Sequence, residues 1–319
     1  MREPTLLIPY AGPDASGKSC DVFVYLRPET NGVVTESVMM KTILSRPQWS
    51  EGVKLVYMAN YPGDFIRSSG LLENHYRLKI SFARRGGALF TARMRHDFTK
   101  HFGCSFEAQR VLGAFDFVQR GDFSEEDLFA YRVDESDMLV TLGQNVKRYG
   151  DEWIVNYDIP AILQKNTSQT DIAVMVFRVS MDWDEFRDLM SELSVHLVEA
   201  GILDSDAPVS RVLHHSKSPW EQLLDGMDFL WGKDAQGGCI TSHPEGGEDH
   251  EGCVSFGAYM LARGHSRQEM MRAISQPLIQ VHTPQGEQEE NLFEASEGLT
   301  YAAAAEIWDR CCGQLSLSG

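Results

Sequence analysis

Gly12-Pro-Asp-Ala-Ser-Gly-Lys-Ser19 follows the spacing of a phosphate-binding loop letter for letter. In such a loop successive backbone N–H groups cradle phosphates, the lysine neutralises them and the final hydroxyl ligates Mg²⁺. That chemistry needs a strand leading in and a helix opening at the lysine, because the helix N-terminus supplies the dipole and the aimed donors. The strand is present as Thr5–Tyr10. The residues after the loop, Cys-Asp-Val-Phe-Val-Tyr-Leu26, are β-branched and aromatic and stop at Arg27-Pro28, so they read as a second strand. Gly12, Gly17, Lys18 and Ser19 carry a Mg-nucleotide reading as an alternative, beside that of a glycine- and serine-rich loop between strands.

A second constellation is cationic. Between Arg77 and Lys100 there are seven Lys and Arg and one acid, Asp97. Tyr76, Leu78, Ile80 and Phe82 alternate with polar residues, and alternation resumes after Arg84-Arg-Gly-Gly87 with Ala88, Phe90, Ala92 and Met94. Two period-two runs across a Gly-Gly turn predict a β-hairpin. Its polar face would carry Arg77, Lys79, Arg93 and Arg95, with Arg84 and Arg85 at the turn. Like charges on one face repel unless something negative covers them. The cover is the acidic C-terminal part of the same chain, an external protein partner or small phosphate-bearing anion, or, least in keeping with the chain's net charge, a nucleic-acid strand.

The third constellation is Cys239-x3-His243-x6-His250-x2-Cys253. Thiolates and imidazoles are the donors Zn²⁺ takes in tetrahedral sites, and the polar interval 244–249 lets two ligand pairs converge. Four protein ligands would leave no open position, so such a site would be structural. Apart from that zinc, and from Mg-nucleotide in the alternative reading, no cofactor is expected. No G-x-S-x-G elbow occurs. The remaining cysteines, Cys20, Cys104, Cys311 and Cys312, carry no local catalytic signature. His214-His215-Ser216-Lys217 reads as a solvated polar run, and His96 and His101 beside Phe98 and Phe102 read as structural.

These residues must be placed by elements, and the patterning supplies them. Strands are expected at Asp21–Leu26, Val53–Ala59, Met138–Leu142, Trp153–Ile159 and Ile172–Val179, and helices at Val33–Leu44, Phe106–Val118 and Glu125–Tyr131. Trp183–Glu199 is punctuated as a helix by Asp182 and Gly201. After the linker-like Asp204-Ser-Asp-Ala-Pro208 the texture changes. Capping boxes at Ser218 and Ser266 open helices, further ones are expected at 254–263 and 301–311, and one strand fits at Leu278–His282. Strands come in adjacent runs rather than in β-α alternation. The expected class is therefore α+β, with a mixed or antiparallel sheet in residues 1–203 and a helix-rich acidic region in 204–319.

Length and composition set the outer bounds. The chain has 319 residues, 43% hydrophobic and 24% charged, which is ordinary for a folded protein of one or two domains. Net charge is −17, and residues 204–319 hold 18 acids against 7 bases. So acidic a chain does not suit binding nucleic acid over its whole surface. No apolar stretch is long enough to span a membrane, the N-terminus lacks the apolar run of a signal peptide, and six cysteines without framework spacing read as reduced thiols. A cytoplasmic protein without membrane partners is expected. Two function classes remain: a non-catalytic binding or assembly protein working through the cationic face and the acidic helical part, and a phosphate-handling enzyme working through Gly12–Ser19.

Overall fold

The computed structural model describes residues 2–232, 254–284 and 286–317. Cys239, His243, His250 and Cys253 lie outside the described residues. The fold is α+β, with three sheets. In chain order the strands are β1 (Thr5–Ile8), β2 (Cys20–Leu26), β3 (Val53–Pro62), β4 (Arg110–Gly113), β5 (Met138–Thr141) and β6 (Gln144–Tyr149), then β7 (Glu152–Val155), β8 (Asp171–Val179), β9 (Leu213–His215), β10 (Leu278–Thr283), β11 (Gly286–Asn291) and β12 (Cys311–Gln314). Among them run the helices α1 (Val33–Leu44), α2 (Arg77–Arg85), α3 (Ala92–Phe102), α4 (Trp183–Glu199), α5 (Pro219–Phe229) and α6 (Ser255–Ala262). No helix among the described residues is long and apolar enough to cross a membrane.

The chain forms two compact units, each assembled from separate stretches. The first takes Met1–Leu71, Asn166–Ile274 and Ser296–Glu306, and the second takes Leu72–Lys165, Ser275–Ala295 and Ile307–Gly319. Leu203, where the composition changes, lies within the first.

The first unit is built on a five-stranded antiparallel sheet in the order β1-β3-β8-β2-β9. Strand β2 is buried along almost its whole length, which is why its sequence is an unbroken apolar run apart from Asp21. Val22, Val24 and Leu26 face α1 and α4 in one core with Met39, Ile43, Phe186, Leu189 and Leu193. The apolar residues of α4 recur at helical spacing, and its Asp182 cap accepts the Glu185 N–H as expected. On the other face Tyr25 stacks on Phe229 of α5, and the Tyr61 hydroxyl donates to the Phe229 carbonyl at 2.7 Å. At the sheet edge β1 leaves Leu6, Leu7 and Ile8 exposed.

In the second unit β4-β7-β6-β5 form one sheet, with β4 parallel to β7, and β11-β10-β12 form another. Here the structure corrects the predicted hairpin: Arg77–Arg85 and Ala92–Phe102 are helices. Arginine, leucine, lysine and alanine favour helix. The alternation has a different origin, because α2 lies between two cores. Ile80 and Ala83 enter one, and Leu78 and Phe82 enter the other. Each pair has helical spacing, and superposed they mimic a period of two.

The glycines between the helices do not make a hairpin turn. Gly86 sits at φ +54°, and a Cβ there would lie 2.5 Å from the Gly113 nitrogen. Thr91 then caps α3 by accepting the Met94 N–H. The helix expected over Phe106–Val118 is also corrected. A 3₁₀ turn at Phe106–Ala108, strand β4 and a short helix at Ala114–Val118 replace it. Gly113 marks the break, since a Cβ on it would meet the Ala83 carbonyl oxygen at 2.2 Å. The C-terminal third mixes strands with its helices, carrying β9 to β12 where one strand was expected.

Candidate functional site

The phosphate-loop sequence is the connection from β1 to β2, and a strand, not a helix, follows it, as the β-branched residues predict. Its own donors turn inward. The Asp14 carboxylate accepts the Ser16 N–H at 3.0 Å and the Ser19 hydroxyl at 2.6 Å, while the Lys18 N–H donates to Ser16 Oγ. The Ser19 and Ser16 hydrogen bonds hold the Asp14 carboxyl down to about 2. An anionic side chain thus occupies donors that a phosphate would need.

Beneath the loop lies a buried polar cluster that sequence reasoning missed. Asp21 on β2 is fully buried and pairs in register with Arg178 on β8, whose Nε donates to Oδ1 at 2.9 Å. Asp21 Oδ2 also accepts the Tyr10 hydroxyl and both the N–H and the hydroxyl of Ser255, the first residue of α6. Arg178 Nη2 continues to the Gly12 carbonyl at 2.7 Å, and the Asp21 N–H donates to the Tyr301 hydroxyl. Burial, with Asp21 adjacent, pushes the Tyr10 hydroxyl far up and the Cys20 thiol up to about 12. Cys20 is therefore held as a thiol, not a nucleophilic thiolate. With the charge of Asp21 matched by Arg178 and its oxygens occupied, the cluster works as a fastening for the loop and α6. The readable signal was one acid and one base, each set within an apolar run of its strand.

The polar run at 214–217 is not a solvated linker, as the sequence suggested. His214 and His215 form part of β9, beside β2. His214 stacks on Tyr25 with centroids 4.6 Å apart, and its Nε2 lies 3.3 Å from Oδ2 of Asp225, which is fully buried on α5. Glu221, one turn earlier on α5, accepts the Lys217 N–H at 2.6 Å. Burial pushes the Glu221 carboxyl up, and the nearby Asp225 adds to the rise. Imidazole and carboxylates together can store and pass protons.

The cationic residues divide. Arg93 on α3 donates to the Glu289 carbonyl at 2.6 Å and pairs with Glu290 of β11 at 3.1 Å, and Arg95 pairs with Glu107 at 2.6 Å. Arg77 and Arg84 on α2 are exposed, and neither they nor Lys79 makes an ion pair with the described residues. Arg77, Ser81 and Arg84 share one helix face, with exposed Arg85 beside them. Arg84 also lies over the Phe115 ring.

Donors able to hold a metal ion come together within the second unit, at His282, Glu287 and Cys312. An open depression of about 510 Å³, lined in part by Arg132, Asp134, Asp137 and Arg148, contains none of the residues singled out from the sequence. Compared with models of protein families, with curated proteins and with solved structures, the chain matches none.

Proposed function

We propose that this is a non-catalytic binding or assembly protein whose working surface is the cationic face of α2. The observation that carries it is the division of the arginines. In a chain of net charge −17, Arg93 and Arg95 meet acids of their own unit while Arg77, Lys79 and Arg84 meet none among the described residues. Cations left unmatched by the acids of the described residues are open to an external one. Arg77 and Arg84 are seven positions apart, about 10 Å of helix. That span suits an extended acidic protein segment better than a single small anion.

The phosphate-handling alternative has less behind it, because Asp14 holds the loop's donors and β2 follows where a helix N-terminus would stand. One pair of measurements separates the two readings. A fluorescent glutamate-rich peptide should bind with an affinity that falls as salt rises, and Arg77→Glu/Arg84→Glu should weaken it by about tenfold or more, ~1.4 kcal/mol. Equal binding by that variant overturns the reading. A rise in melting temperature with Mg-ATP that disappears in Lys18→Ala would establish the alternative.

A further inference from the structure

The geometry points to a zinc-binding site on the outer face of the β11-β10-β12 sheet, with Glu287, His282 and Cys312 as its three protein ligands. Each residue comes from a different strand, and the strands are neighbours. His282 and Glu287 are directly opposed in the β10–β11 register, so their side chains leave the same face. Nδ1 of His282 lies 3.8 Å from Oε1 of Glu287, and the donor atoms of all three residues fall within 4.8 Å of one another. Donor atoms around one tetrahedral ion stand ~3.3–3.8 Å apart, since Zn–N, Zn–O and Zn–S bonds are ~2.0–2.3 Å. The His282–Glu287 pair is already at that spacing, and small side-chain rotations bring in the thiol.

The thiol reaches this face because of a defect in the pairing. Gln280 opposes Gly313, but the next residue, Val281, opposes Cys311. Cys312 is the extra residue of a β-bulge. Val281 is buried, so in an unbroken register its partner at position 312 would point inward with it. The bulge turns Cys312 out to the side of His282 instead, and such re-aiming is what bulges do beside functional sites. Glu287 is also braced. Its Oε2 accepts the Gln280 Nε2–H at 2.8 Å, which leaves Oε1 toward the histidine. A second-layer hydrogen bond that fixes a liganding carboxylate is a regular part of metal sites.

The donor set chooses the ion. One sulfur, one imidazole nitrogen and one carboxylate oxygen suit Zn²⁺, whereas Mg²⁺ and Ca²⁺ take oxygen ligands. Thiolate and carboxylate cancel the ion's two charges. Three protein ligands at an exposed surface leave a fourth position for water or a partner's donor. On binding, the Cys312 S–H bond breaks, its proton goes to solvent and the sulfur lone pair forms the Zn–S bond.

The test uses the full chain with Zn²⁺ and with Co²⁺ as a spectroscopic substitute. Cys312→Ser and His282→Ala should each bind one equivalent less than the unsubstituted protein, with melting temperature in metal-free buffer unchanged because both side chains are exposed. Cys312→Ser should also lose a thiolate-to-cobalt charge-transfer band. A Cys239→Ser/Cys253→Ser variant should keep this equivalent, which separates the site from the Cys239, His243, His250 and Cys253 set. Gln280→Leu should weaken binding by about tenfold. In the unsubstituted protein, zinc should slow alkylation of Cys312 measured by mass spectrometry. Full stoichiometry in both single variants, or alkylation of Cys312 indifferent to zinc, overturns the proposal.

Discussion

At the scale of single residues, His215 shows how burial sets a charge state. It opposes Val24 across the β2–β9 pairing and meets the Phe186 ring edge-to-face at 5.9 Å. Its Nδ1 is buried without a hydrogen-bond partner among the described residues. Burial, aided by neighbouring His214 and Lys217, holds its pKa down to about 4, below the ordinary 6.5. The unfolded chain therefore binds a proton between those values that the folded chain refuses. The contribution to stability is complete above pH 6.5 and is lost as pH falls toward 4, with a slope of at most ~1.4 kcal/mol per pH unit. Resonances of His215 in NMR titrations should stay those of neutral imidazole at pH 5. Urea unfolding of His215→Leu should depend less on pH between 6.5 and 5 than that of the unsubstituted protein. An equal slope would count against this account.

At the scale of elements, the contact between α2 and β4 rests on two glycines. Gly113→Ala would place a methyl group against the Ala83 carbonyl and so drive α2 off the strand. We expect a loss of about 1–3 kcal/mol in denaturant unfolding, the usual cost of overpacking. Gly103→Ala is the control. Gly103 ends α3 at φ +67° with open space around it, so its cost should be only backbone strain, about 1 kcal/mol. The same helix shows what was legible in the sequence. Strands β2, β3 and β8 were readable because each faces a continuous core pattern or is buried on both faces, and β5 was readable from its apolar run Met138-Leu-Val140 although Val140 is exposed. So were α1, α4 and the Ser218 cap of α5. Helix α2 was not, because apolar residues divided between two cores imitate a strand. Strand β4 was hidden because its glycine is required by a helix some thirty positions earlier. The basic residues were found by composition alone. Which of them have acid partners depended on Glu107, Glu289 and Glu290, whose proximity no local pattern encodes. The bulge at Cys312 is likewise a property of pairing, invisible along one strand.

At the scale of the whole molecule, the chain passes between the two units five times, so neither unit is a continuous piece of sequence. Residues 204–319 expressed alone would hold β9 without β2, and Leu278 without its core neighbours Phe82, Phe98 and Trp153. That fragment should show no cooperative thermal transition by circular dichroism, and a sharp transition would show that it folds by itself. Interleaving also has a consequence in time. The central strand of the five-stranded sheet, β8, pairs on one side with β3 and on the other with β2. Roughly 110 residues separate the end of β3 from the start of β8, and at ribosomal speeds of ~5–20 residues per second the wait is about 5–20 s. Throughout it the two longest early strands emerge with apolar faces uncovered and backbone edges open. The sheet cannot close from its first half outward, since its middle is synthesised after its flanks. The facing edges of β2 and β3 are joined only when β8 arrives between them.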